Sequence, residues 1–283
     1  MSIIGGLGNQ MFQYALGRKL SIQTKQDLKY DVSAFNTYKT HRYCLDSFNI
    51  KGKIATKPEI KKIKYKKNNL LSTIMRTKEY SSSVVTEDIF AFNKNVLNVE
   101  GDRYLEGYWQ SEKYFLDIRQ VLIDDFSLRK EVSIQGRKHL KKINEINSVS
   151  MHIRRGDYSF NNEAAEVHGI CSNKYYADSM AYIEKKVENP VYYVFSDDQE
   201  WAKKEVQSKL PIHFMDFNGL ERNYEDIYLM SKCKFNIIAN SSFSWWGAWL
   251  NQYDKKIVVA PKQWFKDFDY VDADLIPSDW IRF

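Results

Sequence analysis

His152-Ile153-Arg154-Arg155-Gly156-Asp157-Tyr158 sets an imidazole, two guanidiniums and a carboxylate within six residues, at the end of a run beginning Ser148-Val149-Ser150-Met151 that reads as a strand. Charge of that density at the mouth of a buried strand suits an anionic ligand. The planar fork of arginine matches phosphate oxygens and stays charged at any working pH. The plain alternative is an exposed strand end with solvated charges. Two more polar clusters follow strand-like runs. Ser196-Asp197-Asp198 could ligate a metal, accept hydrogen bonds from the donor edge of a guanine, or cap a helix. Asn240-Ser241-Ser242 puts small hydroxyls and unpaired backbone amides at a helix start, where phosphate oxygens bind. The tryptophans that follow, Trp245, Trp246 and Trp249, read as packing.

At the other end of the chain, Gly5-Gly6-Leu7-Gly8-Asn9-Gln10 forms a glycine turn before a helix. Backbone amides in such a turn can approach a phosphate or sugar closely. It lacks the third glycine of a dinucleotide fingerprint, and a simple tight turn is the competing reading. Asn9 and Gln10 favour a ligand role, because an amide both donates and accepts. Asp157, Glu163, Glu166 and His168 lie in or after the arginine motif and could place a carboxylate or imidazole beside whatever it binds. Asp267-Phe268-Asp269 and Asp272-Ala273-Asp274 match the Asp-x-Asp spacing of metal-dependent sugar transferases. They follow the last expected strand, away from the other clusters, and read as decoys.

These residues need elements to hold them. Expected strands are Ser148–Ile153, Val191–Phe195, Ile212–Met215, Phe235–Ala239 and Lys256–Ala260. Helices are expected between them at Asn173–Val187 behind a Ser172 cap, Asp198–Leu210, Asn223–Lys232 and Ser242–Gln252. Short apolar strands alternating with helices predict a parallel sheet covered on both faces, with ligands beyond the carboxyl ends of its strands. The three polar clusters fall at three such ends. In the first half, strands are expected at Met1–Ile4, Asp27–Val32 and Arg103–Tyr108, and a helix behind Ser111 carrying Phe115, Ile118, Val121 and Leu122. The pattern from Thr37 to about Ser83 is weak. Two Rossmann-like domains facing across a cleft are expected, spanning 1–146 and 147–283.

At 283 residues, 43% hydrophobic and 15% aromatic, the chain has the composition of a globular protein. No apolar run is long enough to span a membrane, and no signal peptide is recognisable, so a cytoplasmic protein is expected. Cys44, Cys171 and Cys233 are odd in number and widely spaced, which excludes a disulfide framework or a metal-ligand spacing. Much of the +6 net charge sits in Lys51–Lys67, where eight lysines face the single acid Glu59. A solvated surface is the simplest reading of that run, and attraction to an anionic membrane the second. No stacking motif accompanies the lysines, so nucleic acid is not expected as a partner.

Taken together, Gly5–Ala15 (GGLGNQMFQYA), His152–Tyr158 (HIRRGDY), Phe195–Asp198 (FSDD) and Asn240–Leu250 (NSSFSWWGAWL) resemble the signatures of the α-1,2-fucosyltransferases, glycosyltransferase family 11. They occur in that family's order and span nearly the whole chain. The α-1,6- and protein O-fucosyltransferases share the His-x-Arg-Arg element more loosely. The resemblance implies a GT-B fold and inverting transfer of fucose from GDP-L-fucose to the 2-hydroxyl of a terminal β-galactoside. It implies no cofactor and no obligatory metal. By position, Arg155 with Arg154 beside it would bind the diphosphate, and His152 and Asp198 the guanine. Asn240, Ser241 and Ser242 would belong to the donor site, the two serines on the phosphates. Gly8, Asn9 and Gln10 would line it from the glycine loop, with Asn9 facing the fucose. Arg155, Asp157, Glu163 and His168 are the catalytic candidates, the last three as general base. Animal Golgi members carry an N-terminal membrane anchor that is not found here, so a bacterial-type enzyme of O-antigen or glycan synthesis is expected. Its acceptor would then be a galactoside-terminated oligosaccharide, lipid-linked at the inner membrane, where the lysine run would give peripheral contact. The competing functions are transfer with another linkage, such as α-1,6, and non-catalytic binding of a nucleotide sugar or glycan.

Overall fold

Ser148–Ile153 is a strand because all six of its side chains are buried, which only a sheet covered on both faces allows. The computed structural model describes residues 1–38, 40–64, 83–87, 90–155, 169–265 and 274–283. These form two compact units, Met1–Arg129 with Ala273–Leu275, and Lys130–Asp272 with Ile276–Phe283. The boundary therefore lies ahead of the polar helix Ile134–Glu145, not behind it at 146/147. That helix belongs to the second unit because its start is tied to Glu225. The carboxylate of Glu225, fully buried, accepts from Ser133 N–H (3.0 Å), Ser133 Oγ (2.5 Å) and Arg222 Nη2 (2.6 Å).

In the first unit, strands β1 (Lys29–Tyr30) and β2 (Lys53–Ile54) pair in parallel, as do β3 (Val84–Thr86) and β4 (Tyr104–Glu106). The chain start joins the two pairs. Ser2 N–H donates to Leu105 C=O, Ile3 N–H to Asp31 C=O and Asp31 N–H to Met1 C=O, each at 2.9 Å. Residues 1–3 thus run between β1 and β4, where a strand was expected over Met1–Ile4, although only the bridge Ser2–Asp31 is regular. Helix α1 (Leu7–Thr24) follows the glycine turn and is buried on most sides, through Met11, Phe12, Tyr14, Ala15 and Leu16. It ends where Lys25 turns left-handed, φ 56°. Helix α2 (Lys57–Lys64) has no buried residue, so this part of the lysine run is a surface. It is tied down by Lys29–Glu59 and Lys64–Glu106 ion pairs, both 2.5 Å. Behind Ser111 the single expected helix is instead two 3-10 turns and the short helix α3 (Arg119–Asp125).

The second unit carries α4 (Ile134–Glu145), β5 (Ser148–Ile153), α5 (Asn173–Lys186), β6 (Val191–Ser196), α6 (Gln199–Glu205), β7 (Ile212–Phe214), α7 (Asn223–Lys232), β8 (Phe235–Ile237), α8 (Ser242–Trp249), β9 (Val258–Ala260) and β10 (Ile281–Arg282). All pairings are parallel, in the order β10-β9-β8-β5-β6-β7. The expected elements stand with ends shifted by a few residues, and among the described residues only the edge strand β10 is additional. The chain winds outward from β5 through β6 to β7, then returns to the other side of β5 as β8. A topological switch point therefore opens between β5 and β8, the place where ligands bind in open α/β sheets. The core beneath holds Val149, Met151, Ile153, Met180, Ile183, Tyr192, Val194 and Ile237. Trp245, Trp246 and Trp249 are buried, packing residues as the sequence suggested.

Candidate active site

Three of the four sequence motifs meet at the carboxyl edge of the second sheet. Register places His152 opposite Phe195 and Ile153 opposite Ser196, so the arginine and aspartate motifs leave neighbouring strands side by side. Arg154 Nη1 pairs with Asp197 Oδ2 at 2.9 Å, and the Arg155 backbone N–H donates to Asp197 Oδ1 at 2.8 Å. The Arg155 guanidinium lies 3.7 Å from Asp198 Oδ2 and 4.1 Å from the centre of the Trp201 ring. Carboxylates and a ring face thus orient both guanidiniums before any ligand arrives. The carboxylates also offset the local charge, so these arginines act as aimed donors more than as bare charges.

Asp198 divides its carboxylate between tasks. Oδ1 caps α6 by accepting from Trp201 N–H (3.0 Å), while Oδ2 faces Arg155. The capping alternative thus holds for Asp198, whereas Asp197, its neighbour, grips both arginines. Asp197 had been expected only as a member of the Ser196-Asp197-Asp198 cluster, without this hold on the arginines, and Trp201 had not been expected in the site. A pointer to Asp197 was its adjacency to Asp198; Trp201 could have been found three residues past a capping aspartate, where the helix's first turn faces back to the rim.

His152 is buried, and its Nδ1 has no hydrogen-bond partner among the described residues. Burial first, and then the positive charge of Arg154, push the imidazole pKa down from 6.5 to about 3, so it is neutral at working pH. Its ring lies 5.5 Å from that of Phe243 in the first turn of α8, which joins the β5 edge to the Asn240-Ser241-Ser242 cluster. Ser241 Oγ caps α8 by accepting from Phe243 N–H (3.4 Å), and Ser242 is half-buried beside it. Asn240 departs from expectation. Its carboxamide ties loops together, Nδ2 donating to Trp264 C=O (3.2 Å) and Gly169 C=O (3.3 Å) and Oδ1 accepting from the Cys171 thiol (3.4 Å). Asp157, Glu163, Glu166 and His168 lie outside the described residues, as do Asp267, Asp269 and Asp272. Asp274 pairs with Lys113 and accepts from Phe92 N–H.

The glycine turn belongs to the first unit. Gly5 has φ +76°, and a β-carbon there would lie 2.9 Å from Asn9 Nδ2, so glycine is required. Gln10, expected to touch the donor, is fully buried. Its Nε2 donates to Gly5 C=O (2.9 Å) and Arg42 C=O (2.8 Å), and its Oε1 accepts from Cys44 N–H (3.0 Å). It clamps the turn to the 42–44 segment, which corrects its assignment to the ligand. Gln13 does the same toward Ile4 N–H and Gly107 C=O. Asn9 stays half-buried, with Oδ1 accepting from Gln110 Nε2 at 2.9 Å, and Gly8 is buried in the first turn of α1.

A pocket of about 230 Å³ lined by Ile143, Lys232, Lys234 and Tyr253 lies at the amino edge of the second sheet, opposite these motifs. Among the described residues no cluster of three or more His, Cys, Asp or Glu could hold a metal ion. No helix among them is long and apolar enough to cross a membrane.

Two parallel-sheet units, with paired arginines at a switch point and a glycine turn opening the other unit, define a glycosyltransferase of the GT-B type. The chain belongs to glycosyl transferase family 11, which matches over residues 1–282. It is 37% identical to the alpha-1,2-colitosyltransferase of Escherichia coli, over 99% of this chain and 97% of that one. It is 34% identical to the O-antigen biosynthesis glycosyltransferase WbnK of Escherichia coli, over 98% of both. A galactoside alpha-(1,2)-fucosyltransferase 1 from Leontopithecus chrysomelas is 25% identical over 53% of this chain and 44% of its own length. Among solved structures, Arabidopsis thaliana FUT1 in complex with GDP superposes with a TM-score of 0.50 at 10% identity, covering 91% of this chain and 68% of that one; this likeness is one of fold.

Proposed function

We propose that the protein transfers L-fucose from GDP-β-L-fucose to the 2-hydroxyl of a terminal β-galactoside, with inversion at the anomeric carbon. The reading rests on one observation above all: in a family 11 chain, Asp197 and Asp198 hold Arg154 and Arg155 at the switch point, beside the start of α8. The acceptor oxygen forms a bond to C1 of fucose as the bond from C1 to the β-phosphate oxygen breaks, and the electron pair leaves with GDP. Charge builds on the diphosphate during that step. Guanidinium donors already aimed at it lower the barrier without reorganising. Arg155 and Arg154 take this role, with Ser241 and Ser242 at the α8 start as further donors. Neutral His152, with Nδ1 lacking a protein partner among the described residues, would meet the guanine, and Asn9 the fucose. The acceptor proton goes to one of Asp157, Glu163 and His168. Neither a cofactor nor an obligatory metal is part of this reading.

The 37% identity to a colitosyltransferase favours a second donor, GDP-colitose, whose sugar is fucose without its 3-hydroxyl. O-antigen synthesis in the cytoplasm, on a lipid-linked acceptor at the inner membrane, is the setting we infer, with α2 giving peripheral contact. Low-salt sedimentation with anionic vesicles checks that contact.

An acceptor panel offered GDP-fucose and GDP-colitose in parallel, with products assigned by NMR, tests the proposal. An α-1,2-linked fucosyl galactoside is the expected product, formed equally well with a chelator present. Faster transfer of colitose selects the second donor. An α-1,6 product, or binding with no GDP release, contradicts the reading, and activity that is lost to the chelator and restored by Mg²⁺ contradicts the metal-free part.

A further inference from the structure

The carboxyl edge of the first unit's sheet carries its own cluster, of which the donor reading above uses only Asn9. Four of the connections that leave that edge are the glycine turn behind residues 1–3, the segment after β1, Glu87 after β3, and Gly107-Tyr108-Trp109 after β4. Tyr108 and His41 flank the glycine turn. A β-carbon at Gly5 would lie 3.5 Å from the Tyr108 ring, and one at Gly6 would lie 3.7 Å from the His41 ring. Tyr38, 40% exposed, stands 6.1 Å from His41, and Phe90 stacks almost parallel on Tyr108 at 5.8 Å and 13°. The amides of Asn9 and Gln110 join at 2.9 Å beside the same turn.

The backbone that carries Tyr108 is held by several hydrogen bonds. Both oxygens of Glu87 are used on this turn, accepting from Tyr108 N–H (2.6 Å) and Trp109 N–H (2.9 Å). Gly107 C=O accepts from Gln13 Nε2 at 3.0 Å, and Ser111 N–H donates to Trp109 C=O at 2.8 Å. Trp109, almost fully buried, has the left-handed φ of 58°, a conformation a bulky residue adopts only when its surroundings enforce it. Trp109 is thus buried, while Gly107 and Tyr108 remain half-exposed beside the glycines. A rigid aromatic face beside paired amides suits a neutral ring sugar: its C–H face lies on the aromatic ring while its hydroxyls bond to the amides.

We propose that Tyr108, His41 and Tyr38, with the Asn9–Gln110 amide pair, form the saccharide subsite that receives the acceptor galactoside. The inference rests on the galactoside acceptor of the proposed function and assigns it residues. Glu87 is a positioning residue in it, acting through the Tyr108 backbone.

The test uses the intact enzyme with both substrates varied. Tyr108→Ala should raise the acceptor KM by ~10-fold or more, with the donor KM changed by less than about 2-fold. Tyr108→Phe keeps the ring and should stay within about 3-fold of wild type. Unchanged melting and GDP affinity in Tyr108→Ala establish that the variant is folded. An unaltered acceptor KM in Tyr108→Ala and His41→Ala, or a donor KM that rises in parallel, overturns the subsite. Saturation-transfer NMR with methyl β-galactoside separates this from failure of the proposed function. If wild type transfers to no galactoside but binds this sugar and Tyr108→Ala does not, the subsite stands and the reaction assignment falls. If wild type and Tyr108→Ala bind it equally, the subsite falls.

Discussion

The two sheets present their carboxyl edges with opposite chemistry. In the second unit the edge is ionic: two arginines, two aspartates and a neutral buried histidine, with the guanidiniums fixed by Asp197, Asp198 and Trp201. In the first it is aromatic and amide-rich, and the carboxylate of Glu87 is spent on backbone N–H groups. On the proposed reading, the ionic edge suits a charged diphosphate and the amide-rich edge a neutral sugar. The fold places the ligands, and the side chains at the strand ends choose them.

Breaking the ionic edge should have the largest effect. Arg155→Ala is expected to lower kcat by roughly 10²–10³, the usual cost of losing a transition-state donor. Arg155→Lys should recover little, since lysine cannot reproduce the fork or the stacking on Trp201. Near-normal turnover by Arg155→Ala would remove the ionic edge from the chemistry.

A subtler break targets the neutral edge. A β-carbon at Gly107 would lie 2.5 Å from Glu87 Cβ and 2.8 Å from the Trp109 ring. Gly107→Ala should therefore displace the Tyr108 turn, raising the acceptor KM by ~10-fold while leaving GDP affinity near wild type. Paired kinetic and calorimetric measurements check it.

The pH dependence of stability sharpens the contrast. His152 takes up a proton near pH 6.5 when unfolded but only near pH 3 when folded, so folding resists protonation across that interval. The unfolded state then binds more protons, and stability is lost as pH falls from 6.5 toward 3. Between pH 7 and pH 5 this costs about 2 kcal/mol, readable in urea melts, and His152→Asn should show a shallower loss. The smallest effect is that of salt. Raising ionic strength should weaken GDP binding several-fold and leave the galactoside KM unchanged, because only one of the two ligands is charged.

Legibility in the sequence followed the same division. In the second unit strands such as Ser148–Ile153 are buried on both faces, so apolar runs and caps reveal them, and Asn223–Lys232 was read to its ends. The first unit's strands have only two or three residues, too few for any periodicity, and its sheet is completed by the irregular residues 1–3. Glu87 was therefore invisible, since nothing marked the end of β3, and Tyr108, although read as the end of a strand over Arg103–Tyr108, carried no charge or motif to single it out. Arg154, Arg155 and His152 were legible through charge at a strand end. Gln10 and Asn240 misled because a buried amide satisfying backbone looks, in sequence, the same as one awaiting a ligand.

Two tryptophans report on the two edges directly: Trp201 beneath Arg155, and Trp109 behind Tyr108. With fluorotryptophan incorporated at all seven positions and the lines assigned by Trp→Phe variants, GDP and methyl β-galactoside can be titrated separately by ¹⁹F NMR. GDP should move the Trp201 line and leave Trp109 in place, and the galactoside should do the reverse. A GDP titration that shifts Trp109 while Trp201 stays still would contradict the assignment of charged and neutral ligands to these two edges.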